Sequence, residues 1–125
     1  MWFKSELEYI NQQKAIYKSL KPCYCEAIKQ TVYFTSDGLN HLLYNRRRPR
    51  KLKERKYRAA LINYIVEVIT DAKTAQKTDV AGSKDSLWVL EHEVKIKWKG
   101  RKQIIKVILK KEGAGNVKFL SAMSK

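Results

Sequence analysis

The chain contains no run of about 18 apolar residues, so no stretch is suited to cross a bilayer as a helix, and no membrane partner is expected. Its opening residues, MWFKSELEYI, place acids in the first turns and leave no uninterrupted apolar segment, so they do not read as a signal peptide. Cysteine is confined to Cys23 and Cys25. A C-x-C pair is too close for an easy disulfide and lacks the second pair that a structural zinc needs. Two small, partly buried thiols in a reduced, cytoplasmic compartment are expected instead. The two histidines, His41 and His92, lie far apart and no carboxylates cluster along the chain. That is a poor ligand set, so neither a metal nor a cofactor is expected. With no internal repeat and no linker, residues 1–125 are expected to form one domain.

Positive charge is abundant. Lys and Arg number 27 against 12 Asp and Glu, giving a net charge of +15 and a pI near 9.9. Self-repulsion on that scale is costly, and it points to an anionic partner: nucleic acid first, an acidic protein or an anionic membrane surface next. Three Trp and seven Tyr are too many aromatics for a disordered basic tail. The charge is concentrated. Between Arg46 and Arg58 stand Arg46, Arg47, Arg48, Arg50, Lys51, Lys53, Arg55, Lys56 and Arg58, with Glu54 the one acid among them. A solvated face normally interleaves acids, so this cluster reads as a phosphate binder.

Hydrophobic spacing predicts the elements. Residues 1–22 hold an amphipathic helix whose stripe is Phe3, Leu7, Ile10, Lys14 and Tyr17, ended by Lys21-Pro22. Residues 31–71 hold a strand (TVYFT), a helix over about 37–48 started by Ser36-Asp37 and ended by Pro49, and a long helix over 52–71. The leucines of the short helix share one stripe, which leaves His41, Tyr44 and Arg48 on its other side. Tyr57, Leu61, Ile65, Val68 and Ile69 form the core face of the long helix. Residues 72–86 are a polar connection with a short edge strand near 73–78. A β-meander follows over 87–123. In it Trp88, Leu90, His92, Val94, Ile96 and Trp98 alternate with Val89, Glu91, Glu93, Lys95 and Lys97, and Ile105, Val107 and Leu109 return on the core side with Lys106 on the polar side. Turns are expected at Lys99-Gly100 and at Gly113–Asn116. Helices before a sheet argue an α+β fold, with helices on one face of a four-stranded antiparallel meander and the other face polar and open.

Three features (VYFTSDGLNHLL followed by arginines, a long helix ending IVEVITDA, and a meander ending FLSAMSK) together resemble the phage-associated barnase/EndoU/colicin/RelE-like nucleases. The resemblance covers the layout of about residues 23–125. It implies a toxin-type or mobile-element ribonuclease that cleaves tRNA or mRNA by metal-independent transesterification, in the cytoplasm or delivered into a target cell, with a cognate inhibitor protein. It maps the helix histidine onto His41, the basic group onto Arg46–Arg48, and the late-strand hydroxyl onto Ser121. Strict alternation puts Ser121 on the core side with Val117 and Phe119, unless a bulge near Leu120 turns the strand.

Each candidate has two readings. His41 is a general acid or base beside Arg46 and Arg47, or a surface histidine. Glu91 and Glu93 are a general base, or cross-strand partners for Lys95, Lys97 and Lys106. His92, among apolar neighbours, reads as a core histidine with its hydrogen bonds satisfied. The nucleic-acid contacts are expected from Arg46, Arg47, Arg48, Arg50, Lys51, Lys53, Arg55, Lys95, Lys97 and Lys106. A non-catalytic basic nucleic-acid-binding module is the alternative to the enzyme.

Overall fold

A computed structural model describes residues 2–45, 48–79, 81–96 and 100–124. The order is α1 (Trp2–Ser19), β1 (Cys23–Cys25), β2 (Gln30–Tyr33), α2 (Ser36–Leu43), β3 (Tyr44–Asn45), β4 (Arg48–Pro49), α3 (Leu52–Ala60), α4 (Ile62–Asp71), β5 (Ala75–Asp79), β6 (Ser86–Ile96), β7 (Arg101–Lys111) and β8 (Val117–Ser124). The class is α+β, as the sequence indicates.

The sheet differs from a four-stranded antiparallel meander. Six strands run in the order β1-β2-β8-β7-β6-β5. The meander β6-β7-β8 is its centre, β5 covers one edge, and β2 lies parallel to β8 on the other through Val32↔Val117 and Tyr33↔Lys118. Parallel pairing is open to β2 because the helices intervene before the chain returns to the sheet. The three-residue β1 carries no apolar period that would mark it in the sequence, whereas β5, at Ala75–Asp79, falls close to the edge strand expected near 73–78.

On β6, Trp88, Leu90, Val94 and Ile96 are buried while Glu91, Glu93 and Lys95 are exposed, as alternation requires; Lys97, Trp98 and Lys99 lie outside the described residues. Ile105, Val107 and Leu109 on β7 are fully buried. Against this face pack Ile62, Ile65, Val68 and Ile69 of α4 and Leu39, Leu42 and Leu43 of α2. α1 contributes Ile10 and Tyr17; Leu7 and Lys14 are only half-buried, and the side chain of Phe3 lies outside the described residues. Buried Gln13 ties α1 to the other helices, donating to the Ala59 carbonyl at 2.9 Å and to Asn63 Oδ1 at 3.1 Å. Tyr17 donates to the Thr35 carbonyl at 2.7 Å, and its ring meets Phe34 and Phe119, each with centroids 5.9 Å away. At Gly38 a Cβ would stand 2.5 Å from the Phe119 carbonyl oxygen, so α2 approaches β8 this closely only because it carries glycine there.

Two helix limits need correction. The short helix stops at Leu43, with Tyr44 already extended, instead of running to about 48. Arg50 is the physical reason. Its backbone N–H donates to the Leu43 carbonyl, Nε to that of Leu42 and Nη2 to that of His41, each at 3.1 Å. One residue thereby satisfies three of the carbonyls that a helix end leaves open, while β3 and β4 make the small hairpin that brings it back. The long helix is two helices. At Leu61 the backbone tightens, with Leu61 N–H donating to the Arg58 carbonyl at 3.1 Å, and α4 starts anew at Ile62.

Candidate nucleic-acid interface

The basic cluster divides into groups that hold the fold and groups left in solvent. Arg50 keeps only 15% of its side chain exposed and is occupied by the end of α2. Arg58 donates through Nη1 to the Ala122 carbonyl at 3.2 Å, anchoring α3 to β8. Burial, then the charge of Arg50, hold its guanidinium below the ordinary arginine value, and Glu54 works in the other direction. Glu54 Oε1 accepts both arginines, Arg50 Nη1 at 3.1 Å and Arg58 Nε at 3.4 Å. The one acid of the cluster is therefore spent inside it.

Arg48, Lys51, Lys53 and Lys56 are exposed, and Arg55 is half-buried. Among the described residues Lys51 and Lys53 have no ion-pair partner, and Lys56 reaches Glu6 at 3.5 Å. Arg46 and Arg47 lie outside the described residues. Beside the lysines a groove of about 780 Å³ runs between α1 and α3. Tyr9, Tyr57 and Ala60 line it with carbon, and Lys51, Lys53, Glu54 and Lys56 complete its lining. Residues 53, 56, 57 and 60 follow helical spacing, so α3 turns one stripe to it. Tyr57 Oη accepts from Gln103 Nε2 at 3.2 Å, which fixes that ring from the sheet side. Burial and the neighbouring Tyr64 push the Tyr9 phenol above its ordinary value, against a hydrogen bond with Asn63. No sequence signal marked Tyr9 or the groove, since its two walls are about 45 residues apart in the chain.

The proposed catalytic groups are not gathered. His41 is exposed on the side of α2 away from its leucines, and α2 rests on the apolar face of the sheet. Glu91, Glu93, Lys95 and Lys106 project from the opposite face, so the sheet stands between them and His41. Within that face the acids are matched: Glu91 is in register with Lys106, and Glu93 Oε1 lies 3.8 Å from Lys102 Nζ. The bulge at Leu120 does occur. Ile108 pairs with Ser121 while Leu109 pairs with Phe119, which takes Ser121 out of the Phe119 row and gives its core place to Ala122. Ser121 nonetheless remains buried, at 7% exposure.

His92 is half-buried rather than enclosed in the core, and its surroundings are not apolar. Among the described residues its ring nitrogen and the carboxylates of Glu67 and Asp71 form a group whose ligand atoms lie within 4.8 Å of one another. Glu67 and Asp71 are one helical turn apart on α4, which packs on β6, so this juxtaposition exists only in the fold. Both acids are open to solvent. Burial, reinforced by Cys25, pushes the Cys23 thiol up to about 11, so neither geometry nor ionisation favours a reactive thiol here. No family model, no curated protein and no solved structure matches the chain.

Proposed function

We propose that the domain binds nucleic acid, RNA first, through the cationic side presented by α3, as a non-catalytic module. One observation carries this reading. The sole acid between Arg46 and Arg58 is consumed by Arg50 and Arg58, and Arg48, Lys51, Lys53 and Lys56 are left exposed in the chain's most basic segment, Lys56 alone of the three lysines reaching an acid, Glu6 at 3.5 Å. Exposed cations without matched acids release the counterions of a phosphate backbone, and this drives salt-dependent binding. With about five phosphate contacts on a duplex, log K against log salt should slope near −4 to −5 in a filter-binding titration. A slope near zero removes nucleic acid as the partner.

A second reading, a metal-independent ribonuclease of toxin or mobile-element type, is favoured by the Leu120 bulge, which turns Ser121 toward the face of Glu91 and Lys106. Its 2′-OH attack needs a base, an acid and a cation around one phosphate. His41 and the sheet carboxylates lie on opposite sides of the sheet, so that centre would have to form without their joint action. Incubation of purified protein with total RNA in EDTA, followed by end-group analysis, separates the readings. Products ending in 2′,3′-cyclic phosphate, reduced 10²-fold or more by His41→Ala, favour the enzyme. Retained RNA of unchanged length favours the module. A cognate inhibitor protein is the further partner that only the enzyme reading calls for.

A further inference from the structure

We infer that the groove between α1 and α3 takes an unstacked base of a single-stranded nucleic acid, with the flanking phosphates on Lys51, Lys53 and Lys56. The inference rests on the nucleic-acid reading and narrows it to unpaired strands. At about 780 Å³ the groove falls within the size range of pockets that enclose small organic groups, about 300–1,000 Å³. Its wall and rim differ in chemistry. Tyr9, Tyr57 and Ala60 offer carbon, and three exposed lysines, Lys51, Lys53 and Lys56, line the same groove. A ligand matching both must carry a flat apolar group next to anions, and an unpaired nucleotide does.

A duplex does not match, because its bases are stacked inside and only its phosphates reach the rim. The Tyr57 ring is held by the Gln103 amide, so it meets a base already oriented, with little ordering cost on binding. Glu54 borders the groove, but its carboxylate is taken up by Arg50 and Arg58 and does not oppose an incoming phosphate. The Lys56 contact with Glu6 is long and water-exposed, so a phosphate can replace it at small cost. Ala60 is the residue that keeps the space open, being 6% exposed with only a methyl group at the groove wall.

The test is fluorescence anisotropy with three probes: an oligouridine strand of about 12 residues, an oligothymidine strand of the same length, and a duplex of that length. The full chain should bind both unpaired strands tenfold or more tightly than the duplex at equal salt. Ala60→Leu, which fills the groove, should weaken the unpaired strands by about fivefold to a hundredfold, the range for one stacked base, and leave duplex affinity unchanged. Tyr9→Leu, which removes a ring at similar volume, should act in the same direction and serves if Ala60→Leu does not fold. Equal affinity for strand and duplex, or unpaired-strand binding indifferent to the folded variants while salt dependence persists, overturns the inference and leaves the broader reading standing. Absence of salt-dependent binding to all three probes overturns both.

Discussion

The side of the molecule formed by α3 and the solvent face of β6 and β7 both carry lysines, but they keep different company. On the sheet, Glu91 faces Lys106 across the strands and Glu93 lies 3.8 Å from Lys102, so each acid has a lysine beside it, while Lys95 stands opposite Lys102. On α3 the single acid, itself exposed, is bound by two arginines, and the lysines next to it face water. A net charge of +15 is therefore not a property of the whole surface. The difference also separates arginine from lysine. Arg50 and Arg58 use planar, multi-donor guanidinium groups to join carbonyls of α2 and β8. The compact, strongly hydrated ammonium groups of Lys51 and Lys53 remain outside, free to meet a phosphate. A cluster that reads as one functional patch in sequence is thus half scaffold.

The comparison presumes one core beneath both surfaces. Ile65→Ala, at a fully buried position of α4 between them, should cost about 2–5 kcal/mol in denaturant unfolding, with both regions melting together. An unchanged midpoint would break the shared core. A smaller loss sharpens the arginine–lysine distinction. Arg50→Ala should cost about 2–3 kcal/mol, because it leaves carbonyls at the end of α2 without a charged donor. Arg50→Lys should not restore that loss, since one ammonium group cannot reproduce the fork. Lys51→Ala should leave stability within about 0.5 kcal/mol.

An effect confined to alkaline pH comes from β1, which carries neither pattern of charge. Burial, then Cys25, raise the folded Cys23 pKa from 9.0 to about 11. The unfolded thiol therefore ionises first. Its contribution to stability is complete below about pH 9 and is lost as pH rises toward 11. Unfolding measured across that window should show a decline that Cys23→Ala reduces, whereas an identical decline in the variant would assign it to other groups such as buried Tyr17, whose phenol burial also raises.

Periodicity made the core legible. Alternation in LWVLEHEV assigned Trp88, Leu90 and Val94 inward and Glu91 and Glu93 outward, and the 3.6-residue spacing found Ile65, Val68 and Ile69. The polar edge strand β5 was visible near its true place. What stayed hidden depends on contacts between distant residues. The break at Leu61 interrupts a continuous apolar stripe without a glycine or proline to mark it. The capping role of Arg50 requires the chain to fold back through β3 and β4, and nothing local distinguishes it from Arg48. The site was half legible for the same reason. Charge density located α3, but the tyrosine-lined groove and the group formed by Glu67, Asp71 and His92 come from the packing of α1 on α3 and of α4 on β6.

The central claim is that the exposed lysines at and beside the start of α3 (Lys51, Lys53 and Lys56), rather than those on the sheet face, meet the anionic partner. It is tested by the salt dependence of RNA binding in two triple variants, Lys51/Lys53/Lys56→Ala and Lys95/Lys102/Lys106→Ala, each compared with the unchanged chain. Each lost phosphate contact should reduce the slope of log K against log salt by about 0.7–0.9. The α3 variant should therefore flatten the slope by about 2–3, and the sheet variant should leave it nearly as it was. A slope that flattens in the sheet variant and stays unchanged in the α3 variant would contradict the account.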